Sequence, residues 1–82
     1  MDKEDIIKKI NILLIQEFEI EEKEISPSAR LKDDLGLESL DFVDIAVMVK
    51  KEFGITLKGK DVASIKTLGN LYDYINDYIQ KK

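Results

Sequence analysis

Apolar residues recur at steps of three and four in three stretches of this chain, and nowhere do they alternate convincingly as in a strand. Ile6, Ile7, Ile10, Leu13, Leu14 and Phe18 mark the first stretch. Residues three and four apart share a helix face, so this spacing predicts an amphipathic helix over Lys3–Phe18. Asp2, Glu4 and Asp5 suit the positive end of its dipole. Helical spacing returns over Ser39–Phe53. Gly54 closes that segment, and Lys50 and Lys51 lie in its last turn, where cations are favoured. Leu68, Leu71, Tyr72, Ile75 and Ile79 mark a last helix ending near Gln80, with Thr67 as a plausible N-cap. Residues 55–65 are short and mixed, and read as a loop with about one helical turn near 61–64. The expected fold class is all-α: a small four-helix bundle of three main helices and one short helix.

Residues 19–38 interrupt this pattern. Pro27 disfavours helix at Ser26, and Ser26, Ser28 and Gly36 add loop character. A connection this long is either functional or holds short helical turns. Ile25, Leu31, Leu35 and Leu37 are placed to pin it to a core.

Composition sets limits on what such a bundle can do. Eighty-two residues with 44% hydrophobic content suit one core, hence a single domain over 1–82. The net charge of −4 argues against nucleic acid, which needs a basic patch, and favours partners with basic surfaces. There is no cysteine and no histidine. Disulfides, thiolate metal sites and the commonest proton shuttle are therefore missing. Carboxylate-only Mg²⁺ or Ca²⁺ binding, for instance on an acidic run, stays open, but no EF-hand spacing is present and no metal site is assigned. The longest aliphatic run, residues 12–15, is too short to span a bilayer, and the first residues lack a signal-peptide pattern. The expectation is a cytoplasmic monomer that is not an enzyme.

The second helix carries two apolar stripes. Phe42, Ile45, Ala46, Val49 and Phe53 fall on one face, and Leu40, Val43 and Val47 on another. One reading buries the helix all round. The other leaves the Leu40 stripe open for a partner, with Asp41 and Asp44 at its border. Asp33, Asp34, Glu38, Asp41 and Asp44 form an acidic run, read either as a solvated face or as a docking site for basic patches. Tyr72, Tyr74 and Tyr78 read as packing and solvent-edge residues rather than a stacking platform.

Ser39 stands where loop turns into helix. On spacing alone it reads first as an N-cap. A nucleophile would need a base that the chain lacks, although a lysine partner stays open. A third reading is attachment through a phosphate ester, which a helix N-terminus favours.

Asp34-Leu35-Gly36-Leu37-Glu38-Ser39-Leu40-Asp41 resembles the Asp-Leu-Gly-x-Asp-Ser-Leu-Asp signature of acyl carrier proteins. The similarity continues through Val43, Asp44, Glu52-Phe53-Gly54-Ile55, Ile65, Thr67 and on to Tyr78 and Ile79. The resemblance implies a four-helix carrier domain in which Ser39 receives 4′-phosphopantetheine from coenzyme A through a separate phosphopantetheinyl transferase. The arm's thiol would hold acyl groups as thioesters for fatty acid, lipid or polyketide-type biosynthesis. The acyl chain would fold back among the helices or swing out to a partner. Glu38, Leu40, Asp41, Val43, Asp44 and Val47 would form the face met by the transferase and by acyl-transferring enzymes with basic docking patches.

Two positions depart from the signature. Glu38 replaces the usual aspartate. Lys50 and Lys51 stand where typical fatty-acid carriers are acidic, which reads either as a specialised carrier or as ordinary surface drift. The alternatives are a D-alanyl, aminoacyl or peptidyl carrier, or an unmodified helical interaction module.

Overall fold

The computed structural model describes residues 2–80 and contains four α-helices and no strand among them. They are α1 (Lys3–Phe18), α2 (Ser39–Phe53), α3 (Gly59–Ser64) and α4 (Leu68–Gln80), with a 3-10 turn at Glu22–Glu24. The three main helices have the expected bounds. The short one begins two residues earlier than the 61–64 turn predicted from sequence. Its start has no apolar marker; Asp61 Oδ2 accepts from the Lys58 N–H at 3.3 Å and fixes the first turn.

The core follows the apolar spacing. Ile6, Ile10 and Leu14 from α1 meet Ile45 and Val49 from α2 and Leu68, Leu71, Tyr72 and Ile75 from α4. No polar or charged residue is buried among the described residues. The Tyr72 hydroxyl donates to Asn11 Oδ1, which ties α1 to α4 at the edge of this core. Lys3 Nζ meets Asp73 Oδ1 at 2.7 Å on the same seam. α3 contributes no buried residue and lies over the core rather than in it.

The long connection is part of the core. Ile20, Ala29, Leu31 and Leu37 are buried, and Ile25 and Leu35 are partly buried against the same cluster. Two of the fully buried side chains, Leu31 and Ile55, belong to connections rather than helices.

The connection also completes α4. The first N–H groups of a helix have no partner within it. Here Leu68 N–H donates to Ala29 O at 3.0 Å and Gly69 N–H to Pro27 O at 2.8 Å. Leu31 N–H donates to Lys66 O at 3.0 Å, and Arg30 and Thr67 form an isolated antiparallel bridge. Thr67 is the cap expected from sequence: its Oγ1 accepts from Asn70 N–H at 3.2 Å, and Asn70 Oδ1 accepts from Thr67 N–H at 3.2 Å.

Gly69 is glycine for space. A Cβ there would stand 2.9 Å from the Pro27 carbonyl oxygen. Alanine would gain about 1 kcal/mol of helix propensity and lose about 1–3 kcal/mol to overpacking against backbone that cannot yield cheaply. Gly69→Ala should therefore lower the urea midpoint at unchanged slope; an unchanged or higher midpoint would show that the loop does not press on α4.

Candidate functional site

The segment leading into α2 is built by one arginine, one glycine and one buried leucine. Arg30 Nε and Nη2 donate to Asp34 Oδ2 and Oδ1, each at 3.2 Å, and the Arg30 N–H donates to Asp34 Oδ2 at 2.7 Å. Arg30 Nη1 lies 3.6 Å from Asp33 Oδ2. The side-chain hydrogen bond from Arg30, then the backbone one, hold the Asp34 carboxyl below its ordinary pKa. The same hydrogen bond and the charges of Asp34 and Asp33 raise Arg30.

Gly36 follows with φ +70°, a left-handed conformation that glycine adopts without strain. The reversal lets Gly36 N–H reach Lys32 O at 3.1 Å and Leu37 N–H reach Leu31 O at 3.0 Å. Leu37 is then buried, and Glu38 and Ser39 emerge into solvent.

Ser39 is not the N-cap that spacing suggested. The cap residue is Glu38, and Ser39 is the first residue of α2. Asp41 Oδ2 accepts from the Glu38 N–H at 2.8 Å, the return half of a capping box. The terminus is thus ordered by a carboxylate two residues beyond the serine, and the Ser39 hydroxyl is exposed without a capping duty.

Beside Ser39 opens a cleft of about 540 Å³. Phe42 from α2, Val62 and Ala63 from α3, and Leu31 and Ile65 give it apolar walls. Sequence reasoning missed the α3 part of this wall. α3 has no apolar spacing long enough to be recognised, and its approach to Ser39 is set by packing.

The second stripe of α2 is open. Leu40 is 77% exposed, Val43 59% and Val47 60%, while Ile45 and Val49 are buried. This decides against a helix buried all round. Glu38 and Asp44 are exposed at its margin and Asp41 is half-buried. The acidic run read from sequence divides here. Asp33 and Asp34 are engaged by Arg30, a pairing that the three- and four-residue spacing could have revealed. That leaves Glu38, Asp41 and Asp44 around the stripe. Lys50 has a local role: its Nζ donates to Thr56 Oγ1 at 3.3 Å. Tyr72 packs in the core and Tyr78 lies at the solvent edge.

A family model described as "Phosphopantetheine attachment site" matches residues 8–75. The chain belongs to the phosphopantetheine-binding acyl carrier family. A curated acyl carrier protein of Thermotoga maritima is 33% identical over 73 residues, which covers 89% of this chain and 90% of the relative. The cofactor of this carrier is therefore phosphopantetheine, held covalently. An exposed hydroxyl beside an open cleft suits such a group. Acyl carrier proteins carry rather than catalyse, and they work with partner enzymes. The reading as an unmodified interaction module is set aside by the family match. No helix among the described residues is long and apolar enough to cross a membrane.

The lowered pKa of Asp34 has a consequence for stability. A carboxyl with a depressed folded-state pKa stabilises above its unfolded pKa and loses that contribution as pH falls through the folded value. The carrier should lose melting temperature on the acid side, below about pH 4, more steeply than Asp34→Asn. Parallel acid limbs in the two proteins would show that the Arg30 pair contributes nothing measurable.

Proposed function

We propose that Ser39 Oγ is the attachment point of the phosphopantetheine arm and that the Leu40 stripe is the face that partner enzymes read. The observation that carries this reading is the exposed Ser39 hydroxyl in the first turn of α2, between an open cleft and an exposed apolar stripe. With no histidine and no cysteine in the chain, a separate transferase must activate that hydroxyl. Ser39 Oγ gives up its proton and bonds to the phosphorus that bears pantetheine in coenzyme A. The pyrophosphate P–O bond breaks and 3′,5′-ADP leaves. The bound arm supplies the thiol that the chain lacks, and so a thioester to acyl cargo.

Leu40, Val43 and Val47 offer apolar area, and Glu38, Asp41 and Asp44 surround it with negative charge. An apolar centre with a charged rim is a common docking form, and the rim acts mainly on the rate of encounter. Transferases and acyl-transferring enzymes with basic patches fit this face. The pathway served, read from the signature, is fatty acid, lipid or polyketide-type biosynthesis, and the carrier acts in it as a cytoplasmic monomeric single domain. The apolar walls of the cleft support an aliphatic acyl cargo.

Incubation with coenzyme A and a broad-specificity transferase should add one phosphopantetheine by intact mass, and Ser39→Ala should add none. A gain that survives Ser39→Ala would move the attachment elsewhere. Asp44 has no role in ordering the helix start, unlike Asp41. Glu38→Gln with Asp44→Asn should therefore slow modification about three- to ten-fold at low salt, with the difference fading at high salt. Equal rates at low salt would remove these carboxylates from docking.

A further inference from the structure

Charge is segregated around Ser39. The cleft that Ser39 lines also carries Arg30, Lys32, Lys66 and a single carboxylate, Asp33. A second cleft, of about 340 Å³, is lined instead by Glu17, Glu19 and Asp41, and Ser39 is absent from it. Arg30 is occupied by Asp33 and Asp34. Lys32 and Lys66 have no ion-pair partner among the described residues. The cleft thus keeps two lysines without an ion pair over apolar walls, and three cations against the two carboxylates on Arg30 leave its charge net positive.

The two lysines are also held near each other by backbone. Lys32 follows Leu31, whose N–H donates to Lys66 O at 3.0 Å, and the Arg30–Thr67 bridge flanks that bond. The pairing fixes the two segments side by side. It leaves each lysine its own long side chain to adjust, which suits a small anion better than a shaped ligand.

We propose that Lys32 and Lys66 form an anion site in this cleft for the phosphodiester of the arm, so that the arm starts into the cleft rather than across the docking stripe. The proposal rests on attachment at Ser39. The phosphodiester is the one anionic group that the pantetheine arm carries without cargo. Glu38, Asp41 and Asp44 repel it from the α2 side, and Lys32 and Lys66 attract it from the cleft side. Exposed ion pairs of this kind change a population by roughly two- to five-fold, enough to bias the arm without trapping it. Lys32 and Lys66 are therefore positioning residues, and their effect on the arm should vanish in high salt.

The experiment compares amide NMR spectra of the unmodified and modified carrier in three proteins: the native chain, K32Q/K66Q, and K58Q/K60Q. The last removes the same charge from α3 and its approach without touching the cleft lining. Intact mass first establishes modification; failure to gain mass refutes attachment and leaves the cleft to a second measurement, titration of the unmodified proteins with free 4′-phosphopantetheine. Modification should shift the amides of Phe42, Val62, Ala63 and Ile65 in the native chain and in K58Q/K60Q. In K32Q/K66Q, or in 1 M salt, those shifts should shrink by about two-fold or more. The free compound should move the same amides in the native chain and less in K32Q/K66Q. Equal shifts in K32Q/K66Q, equal losses in K58Q/K60Q, or no cleft shifts at all would overturn the proposal. So would an effect of the lysines seen only after loading a dicarboxylic acyl group, which would assign them to a cargo carboxylate instead.

Discussion

The docking of one loop onto the start of α4 holds the rest of this molecule in place. Pro27 and Ala29 lend their carbonyls to the free N–H groups of Gly69 and Leu68, and Leu31 buries its side chain beside them. Each bond meets a need on both sides, because an unpartnered backbone group near the core is costly. Ordering a long connection costs about 1–2 kcal/mol per residue in backbone entropy. Burial of Ile20, Ala29, Leu31 and Leu37 offsets that cost, so the segment is anchored at several points. From this anchor the chain turns at Gly36 and delivers Ser39 to the surface. The cleft beside Ser39 is a by-product of the same docking, since its walls include the loop, α2 and α3.

A serine at a helix start is usually engaged by the helix itself. Here that duty has moved. Glu38 occupies the cap position, and Asp41 satisfies its N–H. The shift by one residue frees the hydroxyl, and it does so without loosening the terminus, because the carboxylate at Asp41 also complements the helix dipole. Negative charge next to the hydroxyl is therefore partly structural. That separates Asp41 from Asp44, whose carboxylate makes no bond at the helix start.

The open stripe of α2 follows from the size of the elements around it. α3 has six residues and none of them is buried, so it covers part of one side of α2 and no more. Leu40, Val43 and Val47 remain in water at a hydrophobic cost that folding alone does not explain. The charges follow a similar division. Arg30 removes Asp33 and Asp34 from the acidic run, the remaining carboxylates of that run gather at the stripe, and Lys32 and Lys66, which have no ion pair among the described residues, line the cleft. The carrier thus shows two different faces on either side of one hydroxyl.

Local sequence determined the helices. The bounds of the three main helices, the Gly54 end, the Thr67 cap and the anchoring leucines of the loop follow from spacing and short-range chemistry, which act within a few residues. The signature around Ser39 likewise fixed the family and its cofactor, because it is contiguous. Tertiary structure alone decided which stripe of α2 stays in water, that α3 walls a cleft beside Ser39, that Lys32 and Lys66 share that cleft, and that Gly69 must leave room for Pro27. Each of these depends on residues far apart in the chain meeting in space, and no periodicity in one dimension encodes which partner a face will find.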